Sequence, residues 1–408
     1  MRILILCSRI PYPLNDGGNL AVNSIMEGLI NAGEAVSMLS MNTKKHWVDP
    51  NTLPSVFKQL HHFETVDVDT DVKMIPAVIS LLRNKSYNIT RFISDAFDRA
   101  LKALLLSHNF DIVLLEGLYV SPYLTTIKKY SQAKICYRQH NVEFQIWERL
   151  ASEALNPLKK WYLNRLAKAL KSYERSHINQ YDCIAAIAPT DKYLYQNFGC
   201  TLPISVVPFG LKLENEPQVP KRTNEALKCY HIGAMDWQPN VEGVKWLVEE
   251  IWPRVITQVP HASLHLAGRN FDPNTQYAFR KNVFIYGAVP DAAAFEADKD
   301  ILLVPIHAGG GLRIKTLIAM NRGKAVISTS IGLQGIEHAR HKEEVLLANA
   351  VEEFSASIIS LYQNPEQVVK MGAKAMELVQ STYNQEHVIK ELLQHLHQIL
   401  NLPPRALN

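Results

Sequence analysis

No apolar run in this 408-residue sequence approaches the roughly 18 residues that a membrane-spanning helix needs. The apolar start, Met1-Arg-Ile-Leu-Ile-Leu-Cys7, stops at Ser8-Arg9 and reads as a first strand, not a signal peptide. Five cysteines (Cys7, Cys136, Cys183, Cys200 and Cys229) are scattered, odd in number and without a Cys-x-x-Cys pair. That pattern argues against a disulfide framework or zinc site and for a reducing compartment. An excess of one charge is also lacking: 43 Lys and Arg stand against 39 Asp and Glu, a net charge of +4. Such a balance admits an anionic substrate or membrane surface and does not call for nucleic acid. Repeats and low-complexity segments are absent, so solenoid architectures are excluded.

What is present is a long chain, 47% hydrophobic, able to bury a large core and to form two or more domains. Its most informative stretch begins with the apolar run Asp300-Ile-Leu-Leu-Val-Pro305, which reads as a buried strand. Gly309, Gly310 and Gly311 follow, and a helical pattern then opens with Arg313 and Lys315 in its first turn. A strand, a glycine turn and a helix N-terminus together form an anion-binding geometry, because backbone N–H groups and the helix dipole both favour negative charge. Cations there oppose the dipole. They point to a diphosphate ligand, or to a tight turn with two solvated cations. No Gly-Lys-Ser/Thr follows, so the stretch is not a Walker loop.

Gly309-Gly-Gly-Leu-Arg-Ile-Lys-Thr-Leu-Ile-Ala-Met320, with Gly323-Lys-Ala-Val-Ile-Ser-Thr329 and Gly332-Leu-Gln-Gly335, resembles the donor-binding signature of glycosyltransferase family 4. The resemblance covers nearly the whole chain and is strongest over 305–335. It implies a retaining GT-B enzyme: α/β, with two Rossmann-like doubly wound domains facing across a cleft. Two departures stand out. Ile318 occupies the place of the Glu that holds the nucleotide ribose, and Gly310 the place of a partner Glu in other branches. Phe209, where the family often has Asn, is a smaller one.

The rest of the chain is read around that frame. A first strand leads through a loop holding Asn15, Asp16, Gly17 and Gly18 into a helix from about Asn19 to Ala32. In the resembled family this loop approaches the donor diphosphate and the acceptor; the plain alternative is a turn with a helix cap. Asp67 and Asp69 form an Asp-x-Asp pattern that reads as a solvated loop, not a metal site. Two later strands deliver Glu116 and His140-Asn141 to the ends where an α/β sheet binds ligands. The family's His in this segment lies beside the transferred sugar. A core or capping His is the alternative.

Residues 157–177 read as one helix carrying six Lys and Arg interleaved with Trp161 and leucines. The pattern fits either an anionic membrane surface or a domain-surface helix with snorkelling lysines. A composition shift over Lys212–Asn224 marks a domain boundary. The expected domains are 1–205 on the acceptor side, 206–380 on the donor side, and a C-terminal helix, 381–408, returning to the first.

In the resemblance, the catalytic group is His140, Arg313 and Lys315. The donor side takes Gly17, Gly18, Asp236, Asn240, Arg269, Gly309, Gly310, Gly311 and Leu312. Asn15, Asp16, Glu116 and Asn141 fall on the acceptor side. The implied reaction moves a sugar from a nucleotide diphosphate sugar to a glycan, lipid-linked or protein acceptor. No cofactor or metal is expected, since side chains neutralise the diphosphate. The implied location is cytoplasmic, with peripheral membrane contact through 157–177. Ile318 keeps a second class open, a non-catalytic GT-B scaffold that binds a glycan or a protein. A sugar-nucleotide epimerase is a weaker alternative.

Overall fold

The computed structural model describes residues 1–14, 17–73, 80, 86–154, 156–213, 227–309 and 312–401. Asn15, Asp16, Gly310, Gly311 and most of the stretch Lys212–Asn224 lie outside the described residues. The chain divides into two compact units, Met1–Gly210 with Gln385–Asn408, and Leu211–Asn384. The sequence had suggested divisions at 205/206 and 380/381.

Unit 1 is built on a seven-stranded parallel sheet: β1 (Arg2–Cys7), β2 (Ala35–Thr43), β3 (His62–Val68), β4 (Ile112–Glu116), β5 (Lys134–Arg138), β6 (Cys183–Ala186) and β7 (Ile204–Val206). The order is β3-β2-β1-β4-β5-β6-β7, so the winding reverses between β1 and β4. Ile3, Leu4, Ile5 and Leu6 of β1 are all fully buried, as a strand covered on both faces must be. The helix Gly17–Asn31 follows β1 and ends at Gly33, whose φ of 82° supplies the left-handed stop.

Unit 2 repeats the plan with six parallel strands: β8 (Lys228–Ile232), β9 (Ser263–Ala267), β10 (Val283–Gly287), β11 (Ile301–Val304), β12 (Ala325–Ser328) and β13 (Leu346–Leu347). Its order, β10-β9-β8-β11-β12-β13, reverses between β8 and β11. Both units are therefore doubly wound, and each places a ligand crevice at the carboxyl ends of its two central strands.

Ala188 holds the cap position and Pro189 opens the helix Pro189–Asn197, its fixed φ already helical. The last strand of unit 2 is only Leu346–Leu347; just before it Arg340 draws Glu343 and Glu344 into ion pairs at 2.7 and 2.8 Å. The helix Gln238–Trp246 continues through a π-helical turn, Leu247–Ile251, into Trp252–Gln258.

Candidate active site

In unit 1 the register pairs Cys7 with Glu116 and Glu116 with Arg138, so the ends of β1, β4 and β5 meet at one level. A cavity of about 500 Å³ opens there, and Gly18, Glu116, His140 and Asn141 all line it. Glu116 is 4% exposed, and its Oε2 accepts from Arg138 at 3.1 Å and from His140 Nε2 at 2.5 Å. Burial alone would raise the Glu116 carboxyl; the Arg138 and His140 contacts outweigh it and hold the group below its ordinary value. An ionised carboxylate only accepts, so Nε2 of His140 carries a proton and the ring is fixed by its buried partner. Gly117, at φ 89°, turns the chain directly beneath that ring.

The run after His140 is tied down as well. Glu143 opens the helix Glu143–Glu153 and accepts from the Tyr119 hydroxyl at 2.8 Å. Burial raises the Glu143 carboxyl despite that bond. Glu174, on the helix Pro157–His177, accepts from the Phe144 N–H at 2.9 Å.

In unit 2 the helix Ile314–Asn321 stands behind β11 with Arg313 at its cap position. Lys315 Nζ donates to the Ile232 carbonyl, the last of β8, at 2.9 Å and to Asn240 Oδ1 at 3.3 Å. Burial, and then the nearby Arg313 charge, lower its pKa to about 7. Arg313 lies over the Trp237 ring at 4.9 Å. Gly309, at φ 101°, passes so close that a Cβ there would stand 2.8 Å from Trp237 and 3.1 Å from Arg313 Nη2. Only glycine fits. Asn240 also donates to the Ala234 carbonyl at 2.8 Å, which fixes the turn after β8.

The sequence-derived residues thus fall into two groups, one in each unit. Glu116, His140, Asn141 and Gly18 share the unit 1 cavity; Gly17, exposed at the helix start, does not line it. Arg313, Lys315, Asn240 and Gly309 gather around the β8–β11 junction. Asp236 and Arg269 form an exposed ion pair at 3.2 Å, and Leu312 packs beside Gly335. The Asp-x-Asp loop is ion-paired, Asp69 with Lys73 at 3.0 Å and Asp71 with Lys44 at 2.9 Å. Among the described residues no cluster of His, Cys, Asp and Glu could hold a metal, and no helix is long and apolar enough to cross a membrane. Sequence reasoning missed Arg138, Tyr119 and Trp237. Only Arg138 carried a signal, two residues before His140 at the end of the same strand.

Residues 226–364 match the family model of the glycosyl transferases group 1. An uncharacterised 44.6 kDa protein in the cps region of Klebsiella pneumoniae is 24% identical over 407 residues, covering 96% of this chain and 98% of its own. Sucrose-phosphate synthase from Thermosynechococcus elongatus superposes with a TM-score of 0.71 at 15% identity, covering 98% of this chain and 99% of its own. Anabaena HepE in complex with UDP and glucose gives 0.63 at 12% identity, over 97% and 99%.

Proposed function

Because residues 226–364 carry the glycosyl transferases group 1 domain and the whole chain has the GT-B fold, we propose that this glycosyltransferase uses a nucleotide diphosphate sugar and retains the anomeric configuration. The acceptor is a hydroxyl of a glycan, lipid-linked or protein substrate. The likeness to a cps-region protein supports a part in polysaccharide synthesis, and the UDP in the HepE complex makes UDP the first nucleotide to test.

The chemistry asks the protein to stabilise a departing diphosphate while positive charge builds on the sugar. Preorganised cations and N–H groups supply that stabilisation best. In this reading Arg313, Lys315 and the glycines Gly309, Gly310 and Gly311 serve the diphosphate. Gly17 and Gly18 are assigned to donor binding, and His140, held by Glu116, orients the sugar. Asp236, Asn240, Arg269 and Leu312 shape the donor side, and Asn15, Asp16 and Asn141 the acceptor side. The cations do the neutralising, without a metal. The activity is cytoplasmic, with the basic helix Pro157–His177 as a peripheral membrane contact.

The observation that carries the reading is Lys315 at the end of β8, where its pKa is lowered to about 7. An arriving diphosphate would restore the charge that burial discourages. Calorimetric titration with UDP, GDP, ADP and their sugar conjugates tests it. A selective response to one nucleotide, abolished by Arg313→Ala, supports the transferase. Silence toward all of them at millimolar concentration rejects it in favour of a second reading, a GT-B scaffold that binds a glycan or protein without turnover. That alternative draws on Ile318 and on the protein partners that Lys315 already has.

A further inference from the structure

All-parallel sheets are covered on both faces, so their strands are buried along nearly their whole length. In unit 2, β9, β11 and β12 follow the rule, with only the first residue of β9 partly open. The outer strand β10 breaks it. Phe284 and Tyr286 share one face of β10 and are 48% and 46% exposed, while Val283, on the other face, is buried. Because β9 stands between β10 and β8, this face lies two strands out from the β8–β11 crevice.

The face is aromatic, and its polar groups are engaged with one another. The His265 ring, from β9, stacks on Phe284 with centroids 5.1 Å apart and planes at 16°. Its Nδ1 is hydrogen-bonded to the Tyr286 hydroxyl at 2.9 Å, and its Nε2 to Ser263 Oγ at 3.1 Å. Burial, and then the Lys299 charge, lower His265 to about 4, so this ring is uncharged at neutral pH. Asp298 accepts from Lys299 at 2.7 Å and from Lys228 at 3.0 Å, so the charges at this end of the face are paired. An incoming molecule meets ring faces and the Tyr286 hydroxyl.

Area decides what kind of molecule fits. A whole aromatic side chain buries about 150–250 Å², so two half-exposed rings offer about 200 Å². A stable protein partner, a second copy of this chain included, needs about 800 Å² on each side. A sugar ring needs far less. Its C–H face carries the slight positive charge that the negative face of an aromatic ring attracts, and its hydroxyls stay in water. We infer that Phe284 and Tyr286 form a platform for a neutral glycan, separate from the β8–β11 crevice. Binding of the glycan stands by itself; its use, to keep an acceptor or product chain at the enzyme, rests on the transferase reading above.

Electrophoresis of the full chain through gels containing dextran, glycogen, galactomannan or hydroxyethyl cellulose, with alginate as the acidic control, tests the platform. At least one neutral polysaccharide should retard the protein, equally with and without UDP. Phe284→Ala and, separately, Tyr286→Ala should each weaken that retardation about fivefold or more, with melting temperature and UDP affinity unchanged. Tyr286→Phe, which keeps the ring, should retain most of it. Retardation by none of the neutral polymers, by alginate alone, or equally in the wild type and both alanine variants overturns the inference. So does retardation that UDP abolishes, since the glycan would then sit in the nucleotide crevice. Self-association that Phe284→Ala removes would assign the face to a second copy and also overturn it. Failure of UDP to bind would remove the transferase reading and leave the platform to be judged by the same gels.

Discussion

Glu174 shows how much one buried side chain can contribute to the unit 1 site. It is 3% exposed, accepts from the Phe144 N–H, and so secures the start of the helix that follows His140 and Asn141. Burial raises its carboxyl from 4.5 to about 8. The folded protein therefore keeps a proton that the unfolded chain releases. Its contribution to stability is complete below the ordinary carboxylate value and is lost as pH rises through about 8. Thermal denaturation between pH 5 and 9 should show a melting temperature that falls as pH rises. Glu174→Gln, which keeps the hydrogen-bond acceptor and removes the titration, should flatten that fall. An equal slope in both proteins would show that other groups govern it. The same residue marks the limit of sequence reading at this scale. Glu116 and His140 are legible because strand ends advertise themselves, whereas Glu174 lies 34 positions beyond His140 on a helix that looks merely basic. Which way a side chain on such a helix points is decided by packing, not by its neighbours in sequence.

Among the elements, the helix Pro157–His177 was the most legible, since Asn156 caps it, Pro157 opens it, and leucines recur at helical spacing. Leu163, Leu166, Ala167 and Leu170 form its buried face, while Leu158 and Trp161 remain 79% and 58% exposed beside Lys159 and Lys160. Exposed Trp and Leu among basic residues is the arrangement of a helix that lies on an anionic surface. Co-sedimentation should therefore bring the protein down with anionic vesicles and not with zwitterionic ones. Each of Lys159→Gln and Lys160→Gln should weaken binding by about 1 kcal/mol. Indifference to vesicle charge, with no change in Trp161 emission, would leave it a plain surface helix. The stretch from Val351 to Leu400 was less legible. Its continuous helical pattern hides three helices, Val351–Gln363, Pro365–Thr382 and Gln385–Leu400, broken where Pro365 and the Tyr383–Asn384 bridge to Leu211 interrupt the ladder. Periodicity reports the buried face and is nearly blind to a one-residue break. The glycine turn was legible in the opposite sense: Gly309 is required by Trp237 and Arg313, yet only Arg313 is near enough in sequence to suggest it.

At the scale of the whole molecule, the chain completes unit 1 only after unit 2 has been made. Val388, Ile389, Leu392, Leu396 and Ile399 of the last helix fill the same core as Ile3, Ile5, Ile25 and Leu29. Gln385 Nε2 donates to the Ser24 carbonyl at 2.7 Å, and Ser24 Oγ donates to the Gly210 carbonyl, so the helix Gly17–Asn31 secures both points where the chain leaves and re-enters the unit. Gly17 and Gly18 begin that helix, and their setting thus depends on residues more than 350 positions away. A cavity in this core should therefore be felt locally. Leu392 is fully buried, and Leu392→Ala should cost about 2–5 kcal/mol. Hydrogen exchange can assign that loss, because each unit has its own core and opens by its own free energy. Amides of β1 and β5 should lose protection while those of β8 and β11 keep theirs. An equal loss in all four strands would mean that the two units unfold as one, and that the return of the last helix binds the stability of unit 2 to that of unit 1.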